Sequence, residues 1–192
     1  MICEKIEAGE LCLSRSEAAQ RLSVPRDFDS KVVERVKKAI LSVIDCRMAA
    51  VRVPVSVFHN EIVLGDIKLE SENLSNALGE SKEAFVFAVT LGMGVERMLL
   101  RLSRLSVSEH FIADALASAY AEAAADRAQK MLDGYGKTKK RFSPGYGDLP
   151  LEIQPKVLSM LEADKTLGLT VTEGLLMKPQ KSITAIVGIE NE

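Results

Sequence analysis

The chain has 192 residues, 47% of them hydrophobic, with 27 acidic against 25 basic side chains and a formal net charge of −2. That length suits one domain with a buried core, and the balanced charge excludes a global bias toward nucleic acid or an anionic membrane surface. Three cysteines without CxxC spacing (Cys3, Cys12, Cys46) and two distant histidines (His59, His110) exclude a disulfide framework and a His/Cys metal site.

The start, with Glu4, Lys5, Glu7 and Glu10, has no apolar segment of the kind that follows in an export signal. Nowhere does the chain reach the ~18 apolar residues of a membrane span. A reducing cytoplasm is therefore expected. Residues 1–12 read as a short extended or irregular start. Ser14-Arg15-Ser16-Glu17 has the form of a capping box, followed by a short helix through Leu22 that ends before Pro25. The 3–4 spacing of Val32, Val33, Val36, Ala39, Ile40, Val43 and Ile44 predicts a helix from Ser30 to Ile44. The period then drops to two. Val51, Val53, Val55 and Val57 predict a strand, and Pro54 places it at an edge or an end.

His59-Asn60 predicts a turn, and residues 61–69 a second strand interrupted at Gly65-Asp66. Ser71 to Leu78 predicts a short helix stopped by Gly79. The apolar run from Glu83 to Leu91 predicts a strand buried on both faces. Through Gly92-Met93-Gly94 it enters a helix from about Val95 to Leu105. This passage is an anion site in principle, but it lacks the P-loop and dinucleotide fingerprints and reads best as a tight turn. Ser106-Val107-Ser108-Glu109 is another capping box. It opens a long helix to Leu132 with nine alanines between Phe111 and Ala128. Such thin side chains let another backbone approach closely, so this helix is expected at the centre, on the sheet. Asp114, Ser118, Glu122 and Asp126 form a polar stripe on it. The stripe is either a solvated face or, at Glu122, the wall of a cleft.

The remainder predicts a helix from Leu151 to Leu161, a strand over residues 167–172, a turn over residues 177–181 and a last strand from Ser182 to Ile189. Four or five strands and five or six helices without βαβ alternation give an α+β fold. The expectation is a single domain over residues 1–192, with a twisted, mainly antiparallel sheet packed with several helices.

The most informative stretch is residues 141–150, where Pro144, Gly145, Gly147 and Pro150 fall within seven residues. Neither helix nor strand fits this composition, and proline and glycine together can hold one unusual shape. Arg141 offers a planar charged fork for a carboxylate. Tyr146 offers an aromatic face for a heterocycle or cation, with a hydroxyl at its edge, and the backbone around Pro144 and Gly145 can read polar edges. The bland alternative is a connector in which Arg141 pairs with a surface acid. The preceding basic run, Lys137, Lys139, Lys140 and Arg141, reads as a solvated loop and not as a nucleic-acid site. Gly-x-Ser-x-Gly is absent and no cysteine has a histidine nearby, so no catalytic nucleophile is expected. Paired carboxylates such as Glu122 and Asp126 have the chemistry for acid–base work, but nothing in the sequence distinguishes them from a helix surface.

Arg141-x-x-Pro144-Gly145-Tyr146, then a helix of about a dozen residues, then Leu169-Thr170-Val171-Thr172-Glu173 and Met177-x-Pro179-x-x-Ser182, resembles the activation domain of cobalamin-dependent methionine synthase. The Ala121-Glu122-Ala123 helix and the Ala88-Val89-Thr90-Leu91-Gly92 turn are also similar, and the resemblance spans roughly residues 14–188. It implies an S-adenosylmethionine-binding reactivation component with no catalytic side chain of its own. Such a component supports reductive methylation of cob(II)alamin with an electron from a flavodoxin or ferredoxin-type donor. It also implies that Arg141 holds the methionine carboxylate, that Ser143, Pro144, Gly145 and Tyr146 contact the ligand, and that Glu122 and Glu173 face the ligand or the corrin. Read as a stand-alone chain, it is expected to act in trans on a cobalamin-binding methionine synthase lacking its own activation domain, away from nucleic acid and membranes. Two alternatives stay open: a non-catalytic module that docks on and caps a corrinoid protein, and a reactivator of another corrinoid methyltransferase. One departure is clear. The larger relatives carry an acidic residue beside a tryptophan near the domain's start; this chain has no tryptophan, and nothing in the sequence singles out Glu4, Glu7 or Glu10 as that acid.

Overall fold

A computed structural model describes residues 1–11, 13 and 30–191. The capping box at Ser14–Glu17 and the helix through Leu22 lie outside these residues. Strand β1 (Ile2–Ile6) is followed by helix α1 (Ser30–Leu41) and by β2 (Cys46–Phe58), β3 (Glu61–Leu64) and β4 (Ile67–Glu70). Helix α2 (Glu72–Leu78), strand β5 (Glu83–Thr90), and helices α3 (Met93–Leu105) and α4 (Val107–Leu132) come next. The chain continues through α5 (Gln154–Met160), α6 (Ala163–Thr166), β6 (Thr170–Val171), β7 (Met177–Lys178) and β8 (Ser182–Gly188). The fold is α+β. A six-stranded sheet runs β4-β3-β2-β5-β8 with β1 also on β2, and β6 and β7 form a separate ribbon. Every pairing is antiparallel.

The strand count exceeds the expected four or five because turn chemistry cuts the chain more often than apolar periodicity shows. Gly65, at φ 59°, reverses the chain between β3 and β4, so the interrupted strand at residues 61–69 is a hairpin. The expectation for Pro54 is also corrected: β2 is an interior strand. Pro54 is tolerated there because its missing N–H falls in a gap. On that side β1 pairing ends at Ala50 and β3 pairing starts at Val55, while the Pro54 carbonyl accepts from the Gly65 N–H at 3.0 Å.

Both faces of β5 are buried, as its unbroken apolar run requires. Phe85, Phe87 and Val89 face one core with α1, α3 and α4. Ala84, Val86 and Ala88 face a second core with α2, α5 and α6. Over 26 residues α4 buries Ala113, Ala117, Ala121, Ala124, Ala125 and Ala128, so its backbone lies close to the sheet and to the flanking helices. The N-cap is Ser106, whose side chain accepts from the Glu109 N–H. The Gly92-Met93-Gly94 passage is a tight turn into α3, with Gly92 at φ 82° as N-cap. No helix among the described residues is long and apolar enough to cross a membrane.

Candidate functional site

Beyond α4, residues 138–142 run along the outer edge of β8. Lys139 N–H donates to the Gly188 carbonyl at 2.9 Å, and Phe142 and Ile186 exchange two backbone hydrogen bonds at 2.8 Å. Side chains alternate across such an edge. Phe142 drops into the second core and Arg141 turns the other way, onto α4. The basic run is therefore not one solvated loop. Lys137 pairs with Glu190, the Lys139 ammonium caps the last turn of α2 at the Leu78 carbonyl (2.7 Å), and Arg141 is largely covered.

Past Ser143 the chain folds on itself. Gly145 N–H donates to the Leu149 carbonyl at 2.9 Å and Tyr146 N–H to the Ser143 carbonyl at 3.2 Å. Gly145 and Gly147 sit at φ 85° and 55°, and a Cβ on Gly147 would meet the Asn73 amide at 2.9 Å, so both positions need glycine. Asp148 ties the loop to the start of α2. Its carboxylate accepts from Ser71 Oγ at 2.5 Å and from the Glu72 and Asn73 N–H groups at 2.6 and 3.2 Å. These donors, Ser71 first, hold the carboxyl down at about 2. A carboxyl depressed in the folded state contributes stability above its ordinary pKa and loses it as pH falls toward the folded value. Between about pH 4 and 2, Asp148→Asn should therefore flatten part of the acid decline in melting temperature. An acid limb identical to the wild type's in a pH series of thermal melts would exclude this role.

Between the loop, α4 and the β6–β7 ribbon lies a cleft of about 960 Å³. One wall is the polar stripe of α4. Arg141 Nη2 donates to Glu122 at 3.0 Å, and its Nη1 donates to Asp126 at 2.5 Å and to Gln129 at 3.4 Å. One end of the same stripe holds Lys181, whose ammonium lies 2.8 Å from Asp114 and donates to Ser118 at 2.9 Å. The stripe is thus ion-paired to two cations of the cleft rather than simply solvated. Leu151, Leu175, Leu176 and Met177 form an apolar side, and Ser182, Ile183 and Thr184 of β8 form the floor. Glu96, in the first turn of α3, accepts from the Gln180 N–H at 2.9 Å and fixes the rim.

Of the residues singled out in the sequence, Glu122, Arg141, Ser143, Pro144 and Tyr146 line this cleft. Gly145 does not. It shapes the turn behind, where a Cβ would press on Leu151 at 3.3 Å. Glu173 is exposed in the β6–β7 connection and is not among the lining residues. Asp126 pairs with Arg141 without lining the cleft, and Glu122 also pairs with Arg141, so these carboxylates act in charge pairing. Of the N-terminal acids, Glu10 pairs with Arg127 at 2.6 Å and Glu7 with Lys5, and none lines the cleft. Sequence reading missed Lys181, Gln129, Gln154 and Thr184. The signal for Thr184 was the period-two alternation of the last strand. The other three needed the fold.

A family model described as vitamin B12 dependent methionine synthase, activation domain, matches residues 70–192, well over half of the chain. A comparison with curated proteins gave no match. Among solved structures, the crystal structure of the MetH reactivation domain bound to AdoHcy is similar with a TM-score of 0.68 at 15% identity. The likeness covers 98% of this chain and 78% of that one, and at that identity it speaks to the fold. The cleft-forming segment 141–184 lies wholly inside the matched region, and the chain belongs to the activation-domain family of vitamin B12-dependent methionine synthase.

Proposed function

We propose that the cleft binds S-adenosylmethionine and that the chain is the reactivation component of a cobalamin-dependent methionine synthase. It supports reductive methylation of cob(II)alamin on a separate cobalamin-carrying chain that lacks its own activation domain. The electron would come from a flavodoxin or ferredoxin-type donor, in the reducing cytoplasm expected from the cysteine usage. The observation that carries the reading is the state of Arg141. Of its five N–H groups, three are engaged by Glu122, Asp126 and Gln129, leaving two without a partner among the described residues. A fork fixed in place with N–H groups to spare suits an α-carboxylate. Glu122 and Asp126 beside it add the negative charge that an α-ammonium or a sulfonium prefers.

The residues present fit the ligand. About 960 Å³ is near the upper end of small-molecule sites, and the apolar side with Tyr146 at the rim suits an adenosyl group. Ser143 and Pro144 contribute lining, Gly145 the turn behind them, and Glu173 stays outside the cleft as a group available to the partner. S-adenosylmethionine supplies an activated methyl group, while the residues of this chain bind and orient it toward the partner's corrinoid.

The test uses a methionine synthase lacking an activation domain and loaded with cob(II)alamin. Given reduced flavodoxin, its absorbance should return to that of methylcobalamin only when this chain and S-adenosylmethionine are both added. Equal recovery without either one contradicts the proposal, and tight docking without recovery favours the capping alternative.

A further inference from the structure

We infer that the outer face of α3 is a docking surface for an acidic amphipathic helix of another protein. Helix α3 buries Val95 and Leu99 and turns Met93, Arg97, Leu100, Arg101, Arg104 and Leu105 outward. Met93, Leu100 and Leu105 are 45%, 58% and 68% exposed. Of the eight arginines among the described residues, five sit against carboxylates: Arg35 on Glu109, Arg47 on Asp45, Arg52 on Glu83, Arg127 on Glu10, and Arg141 on Glu122 and Asp126. The other three are Arg97, Arg101 and Arg104, and no described carboxylate pairs with any of them. Glu96, the one acid of α3, is spent on the Gln180 N–H. Arginines three and four residues apart on one helix repel. The helix C-terminus favours Arg104, but Arg97 in the second turn gains nothing from it. A local cost with no internal compensation marks a surface shaped for something outside the chain.

Spacing and charge name the occupant. Met93, Arg97, Leu100 and Arg104 recur at intervals of four, three and four residues, the seam that a second helix follows when it lies along the first. Such a helix would set carboxylates against Arg97, Arg101 and Arg104 and apolar side chains against Met93 and Leu100. Methionine and arginine are side chains that protein interfaces favour, and α3 has no lysine, which they avoid. The guanidinium fork suits a carboxylate, and covering the pair strengthens it. A second copy of α3 would bring arginines against arginines with no free acid between them. A lipid surface would have to take in Arg97 and Arg104, because they stand among the apolar side chains rather than beside them. A phosphate backbone would leave Met93, Leu100 and Leu105 without a partner.

The test is fluorescence anisotropy of a labelled synthetic helix of about three heptads, with leucines and glutamates at the same spacing, titrated with the whole chain. Binding in the micromolar range is expected, and an otherwise identical helix with glutamine in place of glutamate should bind about tenfold more weakly. Arg97→Gln combined with Arg104→Gln should weaken binding of the acidic helix about tenfold, and Leu100→Ser about fivefold. Added sodium chloride should weaken binding to the wild type and change that of the double variant little. All three positions are exposed, so melting temperatures and S-adenosylhomocysteine titrations should match those of the wild type, which separates this surface from the cleft. Equal binding of the two helices, or no binding of either, overturns the inference. So does tighter binding to phosphatidylglycerol vesicles or to a DNA duplex than to the acidic helix, or a concentration-dependent dimer of the chain that the double variant abolishes.

Discussion

Arg141→Ala should weaken S-adenosylhomocysteine binding by roughly ten- to a hundredfold, the equivalent of about 1.5–3 kcal/mol for a lost charge-assisted contact. Folding should be little affected. The guanidinium lies between Glu122 and Asp126, and removing it leaves two carboxylates four residues apart on α4, a repulsion of about 0.2–0.5 kcal/mol. Affinity should therefore collapse while the melting temperature moves by only a few degrees, which separates a binding role from a structural one. Arg141→Lys should not restore binding, because a single ammonium cannot reach Glu122, Asp126, Gln129 and a ligand carboxylate in one plane. Calorimetry on the two variants checks both statements. Unchanged affinity in Arg141→Ala would mean that the ligand carboxylate is held elsewhere.

Gly94→Ala should be the most damaging single methyl in the described chain. A Cβ at Gly94 would stand 2.2 Å from the Val43 carbonyl oxygen and 3.3 Å from its carbon, and both are backbone atoms that cannot swing away. Relief requires the first turn of α3 to move off the α1–β2 connection, a distortion of about 3 kcal/mol. For a chain of this length that lowers the melting temperature by about 6–12 °C. Glu96 lies in the turn that must move and accepts from the Gln180 N–H at the cleft rim. Ligand affinity should therefore fall along with stability. Gly134→Ala is the control, since nothing lies within 4 Å of its Cβ position and its φ is not positive. Thermal melts of the two variants side by side settle the comparison, and equal melting temperatures would refute the packing argument.

The elements with strong local chemistry were legible in the sequence. The apolar run of β5, the Ser106 cap of α4 and the alanines that let α4 lie on the sheet all appear where composition places them. Local signals do not encode partner strands, and there the reading fell short. Pro54 looked like an edge residue because its N–H is missing, and only the gap between β1 and β3 shows why an interior strand accepts it. The Pro- and Gly-rich loop was identifiable as an ordered turn, and its resemblance to a known family pointed to a ligand. Its orientation was not readable, because it depends on long-range backbone pairing with β8 and on Asp148 at the start of α2. The stripe of α4 showed its period but not its partners. Lys181 and Arg141 reach it from 63 and 19 residues away. Glu173 had a place in the family pattern but not in the cleft lining, since that pattern carries no depth information.

Whether this cleft is an S-adenosyl site is tested most directly by equilibrium titration of the purified wild-type chain with S-adenosylmethionine. One saturable site per chain is expected, abolished or strongly weakened in Arg141→Ala. Failure to saturate at millimolar ligand, with the chain folded and a cobalamin-carrying partner either present or absent, would contradict it.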